Sequence, residues 1–418
     1  MFNYNQILNI KKKNNINAIE ILIIIAITLS FVLSDWMYSI FSFGEFIIIP
    51  LTIILFFRIL CVWKFDYITW LIGVIFLLLW NIVANFIWNE TFNIKAGIAG
   101  AIKIAFFALF VITAFDFFKK IYLKKYLLLS LNVSTVIVLI IGIYIMIALY
   151  AQINLPYEFF WKFGRTDYQS YFFRGPSGLV RMRSIFNEPA HLGYFFNVIL
   201  GLNLFSSIKI KRKWIFNLLL VVGLIATFSY SAIGIMVFQF LLFFFMKVKF
   251  KEVSIVKYRS LVAILTLLTI MFVFKDILYE TIYLRTMDIV AGRDQSFIER
   301  VAGSWQYISS DKIINGNGVG NTGVIFNNYA YILSDFGVIG FLFFLLINAI
   351  LLFRSPELGL LYILLNFQRG GYLGPTFWIL LMLFLVFSAN ENQSQTPMRI
   401  VSSNFKRFKY IRIRKNFE

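Results

Sequence analysis

The chain carries one cysteine, Cys61, and one histidine, His191, in 418 residues. A single cysteine excludes an intrachain disulfide and a cysteine-based metal centre, and so says nothing of redox compartment. Neither Asp-x-Asp nor His-Glu-x-x-His occurs, and the cysteine and histidine cannot cluster, so neither a catalytic metal nor another cofactor is expected. Gly316, Gly318 and Gly320 permit tight turns or close backbone approach to a ligand. They do not form a nucleotide loop, because no strand precedes them and no Gly-Lys-Ser/Thr follows. No inverted or tandem repeat of apolar segments, of the kind common in secondary transporters, is evident. Acidic residues are scarce, 20 against 39 Lys and Arg, giving a formal net charge of +19.

Apolar residues are abundant. They make up 60% of the chain, with 50 phenylalanines and a mean hydropathy of +0.80, well outside the range of water-soluble domains. The expected class is an all-α polytopic membrane protein. A span needs about 20 mostly apolar residues, and twelve segments meet that rule, near 18–40, 43–63, 67–88, 96–118, 126–150, 188–207, 214–231, 232–247, 260–277, 327–353, 357–373 and 374–390. The first reads as an anchor, being too long and lacking the small-residue cleavage site of a removable signal. An even number of spans places both termini on one side. Lys11 to Lys13, Lys119, Lys120, Lys124, Lys125, the Lys209–Lys213 group, Lys247 to Arg259 and the tail beyond Arg399 all fall on that side. The positive-inside bias makes it the cytoplasm, and accounts for the net charge without a nucleic-acid partner. The basic stretch at 406–415 reads as charge near anionic membrane lipid.

The chain then divides into a five-span region 1–150, a long outer loop 151–187, central spans 188–277, a second long outer loop 278–326, C-terminal spans 327–390 and a basic cytoplasmic tail 391–418. Loops this long commonly carry function. Outer loops should be poor in arginine, yet the first holds Arg165, Arg174, Arg181 and Arg183, and the second holds Arg285, Arg293 and Arg300. Guanidinium forks suit a phosphate or carboxylate partner. Arg181, Arg183, Arg293 and Arg300 stand in the more motif-like context, and form the expected anion-binding set.

The stretch RMRSIFNEPAHLGYFF, 181–196, joins the first loop to an apolar run. Asn187 is a natural helix N-cap, with Glu188 and Pro189 in the first turn. Glu188 stands first as a general base, with His191 and Asp335 behind it. Lys103 and Arg369 are further charges inside apolar segments; Arg369, in QRGGYLGP, marks a broken or turning helix.

These residues resemble the O-antigen polymerase and ligase family of bacterial inner-membrane proteins. The resemblance rests on RMRSIFNEPAHLG at 181–193, TFSYSAIG at 227–234, and the second loop with GNGVGNTG and NNYAYILSDFGVIG, and covers most of the chain beyond residue 180. It implies a GT-C-like helical fold and a metal-independent, inverting glycosyltransferase with its site on the outer face. The implied substrate is an undecaprenyl-diphosphate-linked oligosaccharide whose diphosphate the arginines would bind, and a flippase and a chain-length regulator are the implied partners. Ligases of the family usually carry histidine where this chain has Asn327, which favours the polymerase branch; relatives often place arginine where this chain has Ala232. The alternatives are a ligase that transfers finished chains and a flippase for the same lipid-linked unit.

Overall fold

The computed structural model describes residues 16–60, 65–151, 155–165, 179–247, 275 and 279–389. Cys61, Arg174, the N-terminal lysines, most of segment 260–277 and the basic tail lie outside the described residues.

The protein is a mostly helical membrane protein. Helices α1 (Ala18–Val32), α2 (Phe43–Leu60), α3 (Phe65–Trp88), α4 (Ile94–Phe117), α5 (Ile121–Ala151), α6 (Pro189–Phe205), α7 (Lys213–Ala226), α8 (Tyr230–Lys247), α9 (Arg285–Val290), α10 (Gln295–Val301), α11 (Asn328–Arg354), α12 (Pro356–Gln368) and α13 (Pro375–Ser388) follow in order. Among the described residues four stretches, Tyr67–Trp88, Ile94–Phe117, Ile121–Ala151 and Asn328–Arg354, are long and apolar enough to cross a membrane, and α1, α7, most of α8 and α13 are shorter apolar helices.

Two helices form the centre. Every residue of α13 except Leu385 is buried, as is every residue of α6 except Ala190, His191 and Leu204. A helix apolar on all sides is stable only when surrounded. Accordingly α6 packs against α5, α7, α8, α12 and α13, while α13 also meets α1, α2, α4, α11 and α12. Helix α3 is peripheral, and turns Ile72, Phe76, Leu79, Val83 and Phe86 outward, as a lipid-facing surface requires.

The expectation of helix alone is corrected at one place. The first apolar segment does not run to residue 40; α1 ends at Val32, and a short antiparallel hairpin pairs Met37–Tyr38 (β1) with Phe41–Ser42 (β2). The helix stops because Asp35 is turned inward to charged partners described below, which a continuing helix would not allow.

Helix α11 is broken at Gly337, whose φ of 64° and ψ of −166° suit only glycine. A break inside hydrocarbon leaves backbone groups without partners, at several kcal/mol each unless they are satisfied. The segment 313–320 supplies the partners: Asn317 N–H donates to the Ser334 carbonyl at 2.7 Å, Gly318 N–H to the Asp335 carbonyl at 3.1 Å, and Val338 N–H to the Ile313 carbonyl at 2.8 Å. Gly316 and Gly318, both at positive φ, allow this docking; a Cβ on Gly316 would stand 2.5 Å from the Asp335 backbone. The glycines therefore give close approach to the chain's own backbone.

Three asparagines on one stripe of α3 complete the joint. Asn81 donates to the carbonyls of Asn315 and Asp335, both at 3.0 Å, and accepts from Val319 N–H at 2.9 Å. Asn85 donates to the Asn315 carbonyl at 3.2 Å and Asn89 to the Asn317 carbonyl at 2.9 Å. Asp335 is fully buried here; its carboxylate accepts from Gly320 N–H at 3.2 Å and from the Tyr372 hydroxyl.

Gly337→Ala should be destabilised by about 1–2 kcal/mol from the left-handed backbone alone, and by more because its Cβ would meet the Ile314 carbonyl oxygen at 2.2 Å. Thermal unfolding of the detergent-purified variant measures this, and the reverse order of stabilities would contradict the role given to the break.

Candidate functional site

The N-terminus of α6 is the junction of two charge clusters. Glu188, with extended backbone, is the N-cap and Pro189 opens the first turn, so the cap lies one residue later than Asn187. Asn187 instead ties loops together. Its side-chain oxygen accepts from Arg165 N–H at 2.8 Å, and its side-chain amide donates to the Asp35 carbonyl at 3.2 Å.

The first cluster is centred on Asp35, a residue with no distinguishing sequence motif. The carboxylate is buried, and binds the His191 ring at Nδ1 at 2.8 Å, the Arg369 guanidinium, and Asn187 N–H at 3.3 Å. Burial alone would push this carboxyl up, but the charges of Arg369 and His191 and their hydrogen bonds outweigh it and hold it well below the usual carboxylate range. Arg369 is the C-cap of α12 and also lies 5.5 Å from the Tyr194 ring. Its place in the turn between α12 and α13 agrees with the broken helix expected from QRGGYLGP. Histidine Nε2 makes no hydrogen bond with any described residue, so Asp35 fixes the ring through Nδ1 and leaves Nε2 available.

The second cluster brings both arginine-bearing loops together. Arg181 donates through Nε to the Thr227 carbonyl at 3.2 Å, in the turn between α7 and α8. Tyr230, at the start of α8, reaches the second loop, with its hydroxyl 3.3 Å from Thr286 Oγ1 and its ring 5.8 Å from the Arg285 guanidinium. Burial, then the guanidinium of Arg285, push Arg181 down to about 10, with Arg300 adding to the effect and Glu188 opposing it. Burial likewise lowers Arg300, which feels Glu188, Arg285, Asp294 and Glu299. Glu188 pairs with Arg165 at 3.1 Å and Arg285 pairs with Asp294 at 2.8 Å. Among the described residues Arg300 has no ion pair or hydrogen bond through its side chain. Arginine thus outnumbers carboxylate where the loops meet, and an anion is the natural complement.

The expected residues do not all come together. Glu188, His191, Arg181 and Arg300 gather at the head of α6. Arg183 does not join the arginine group: it is 1% exposed, donates to the carbonyls of Asn187 at 2.9 Å and Arg165 at 2.6 Å, and lies 4.3 Å from the Trp161 ring. It braces the loop from within. Arg293 is 69% exposed and turned to Asp288 at 2.9 Å, and Asp335 belongs to the helix break. Lys103 is paired with Glu45 at 2.6 Å. Arg285, outside the motif-like set, lies within electrostatic reach of Arg181 and Arg300. Asn327, the position that raised the polymerase branch, caps α11 by accepting from Tyr329 N–H at 2.8 Å. Among the described residues no three His, Cys, Asp or Glu side chains could together hold a metal ion.

Asp35→Asn leaves the half-buried Arg369 without its counter-ion and should cost up to about 3 kcal/mol. The sign of its pH dependence is fixed by the lowered carboxyl: its contribution is complete above the unfolded value of roughly 3.9 and is lost as pH falls below it toward the folded value. Thermal unfolding between neutral pH and pH ~3 should therefore show an acid-dependent loss in the parent protein that is smaller in the variant.

No protein-family model, no curated protein and no solved structure matches this chain.

Proposed function

We propose that the protein is a surface-polysaccharide polymerase of the bacterial cytoplasmic membrane, built on a GT-C-like scaffold of twelve spans with both termini in the cytoplasm. It joins undecaprenyl-diphosphate-linked oligosaccharide units, of O-antigen type, on the outer face. The observation that carries this reading is that Arg181 of one long loop is held at Thr227 and Arg285 of the other lies over Tyr230, at the same α7–α8 turn, with Arg300 and Glu188 within electrostatic reach of Arg181.

In this reading the guanidiniums of Arg181, Arg285 and Arg300 bind the diphosphate of the donor and stabilise the charge that develops as it leaves. A hydroxyl of the acceptor unit attacks the anomeric carbon of the donor sugar. The new glycosidic C–O bond forms as the bond from that carbon to the phosphate oxygen breaks, and undecaprenyl diphosphate departs with the bonding electrons. Direct displacement inverts the anomeric configuration. The hydroxyl proton passes to His191 Nε2, with Asp35 orienting the ring and stabilising the imidazolium, as a carboxylate does for a catalytic histidine elsewhere. Glu188, already paired with Arg165, positions the arginines, which reverses the order in which the two groups stand by sequence. Arg183 serves the loop's structure, and the flippase and chain-length regulator remain the proposed partners.

Arg300→Ala and His191→Gln, each expressed in a deletion strain, should yield single repeat units on the final acceptor and no long ladders. With purified lipid-linked substrate, His191→Gln should lose about 10²–10⁴ in rate, while Arg183→Ala should chiefly reduce the amount of folded protein. Normal ladders from Arg300→Ala would remove the phosphate role. A deletion strain that accumulates long polymer on its lipid carrier would identify a ligase, and one that traps units on the inner leaflet a flippase.

A further inference from the structure

A groove lies away from these arginines. Helices α3, α4, α11 and α13 enclose a groove of about 200 Å³ with walls that include Trp70, Ile104, Phe115, Phe343 and Phe377. The one charged residue lining it is Arg354, the last residue of α11. Its guanidinium lies 5.9 Å from the Phe115 ring, and Arg354 forms no ion pair or hydrogen bond through its side chain with any described residue. The two tyrosine hydroxyls on the groove are otherwise engaged, Tyr67 donating to Asp116 at 2.8 Å and Tyr372 to Asp335. A guanidinium set at the end of an apolar groove without a counter-ion is poorly compensated, and an anion attached to a hydrocarbon chain would satisfy both features at once.

We propose that this groove binds one anionic phospholipid, with an acyl chain along the walls between α4 and α11 and the phosphate on Arg354. The walls are almost wholly apolar, with the Trp70 indole the only side-chain donor among the described lining residues besides Arg354 and the engaged Trp378, Tyr67 and Tyr372 groups, and the single guanidinium fixes where the headgroup must lie. Arg354 stands at the opposite end of α11 from Asn328, which follows the second long loop. It faces Phe115 near the end of α4, just before Lys119 and Lys120. By the positive-inside reading that is the inner leaflet, where anionic lipid is available. The site is thus separate from the proposed diphosphate site, and the proposal does not depend on the sugar chemistry.

Native mass spectrometry of the full chain, purified from nanodiscs of equimolar phosphatidylglycerol and phosphatidylcholine with identical acyl chains, tests this. The expected result is one retained phosphatidylglycerol in preference to phosphatidylcholine. Arg354→Gln should lower that preference about fivefold, Arg354→Lys should keep most of it, and Ile112→Trp, which fills the groove, should reduce retention of both lipids. Equal retention of the two lipids by the parent protein overturns the proposal, a comparison that needs no variant. So does an unchanged preference in Arg354→Gln, or displacement of phosphatidylglycerol by equimolar undecaprenyl phosphate.

Discussion

Asp35 is a buried anion whose partners come from two distant parts of the chain: Asn187 and His191 at the head of α6, and Arg369 between α12 and α13. Removing a carboxylate from water is unfavourable by several kcal/mol, and only closely placed positive charge and hydrogen bonds repay it. The arrangement therefore has to be assembled as a whole. Its presence sets where α1 ends, how α6 begins and which way the last turn faces. The same carboxylate orients the ring of His191, so the group that closes the fold at this end also prepares the histidine.

The second long segment is held by a different device. Helix α11 breaks at Gly337, and residues 313–320 pair with the backbone groups that the break frees, while Asn81, Asn85 and Asn89 bind the segment from the side. Within a membrane a break of this kind is tolerated where the freed backbone groups find partners, which makes the docking specific in register. Earlier in the same segment Arg285 lies over Tyr230 at the start of α8 and comes within electrostatic reach of Arg181.

The residues differ in how plainly their chemistry could be seen beforehand. Glu188 and His191 sit beside each other in one short motif, so their proximity needed no tertiary information. Arg181 and Arg183 are two residues apart and look equivalent, yet one joins the arginine group and the other turns inward onto Trp161. Alternation in an irregular loop does not specify which side chain meets solvent. The asparagine stripe at a spacing of four residues was detectable as a polar line on an otherwise apolar helix; what it would bind was not. Asp335 looked functional because a carboxylate in an apolar span needs a partner, and its partners proved to be a tyrosine hydroxyl and a backbone amide.

Hydropathy by itself determined that this chain is helical and belongs in a membrane, because transfer free energies add residue by residue and need no knowledge of neighbours. It also located several of the described helices closely, though not the end of α1, and marked two arginine-bearing segments as exceptional. Only the tertiary structure decided which of those arginines converge, that Asp35 stands behind His191, and that the glycines serve a helix break. Those outcomes depend on pairings between residues far apart in sequence, and the energy of a buried charge or freed carbonyl has no value until its partner is in place.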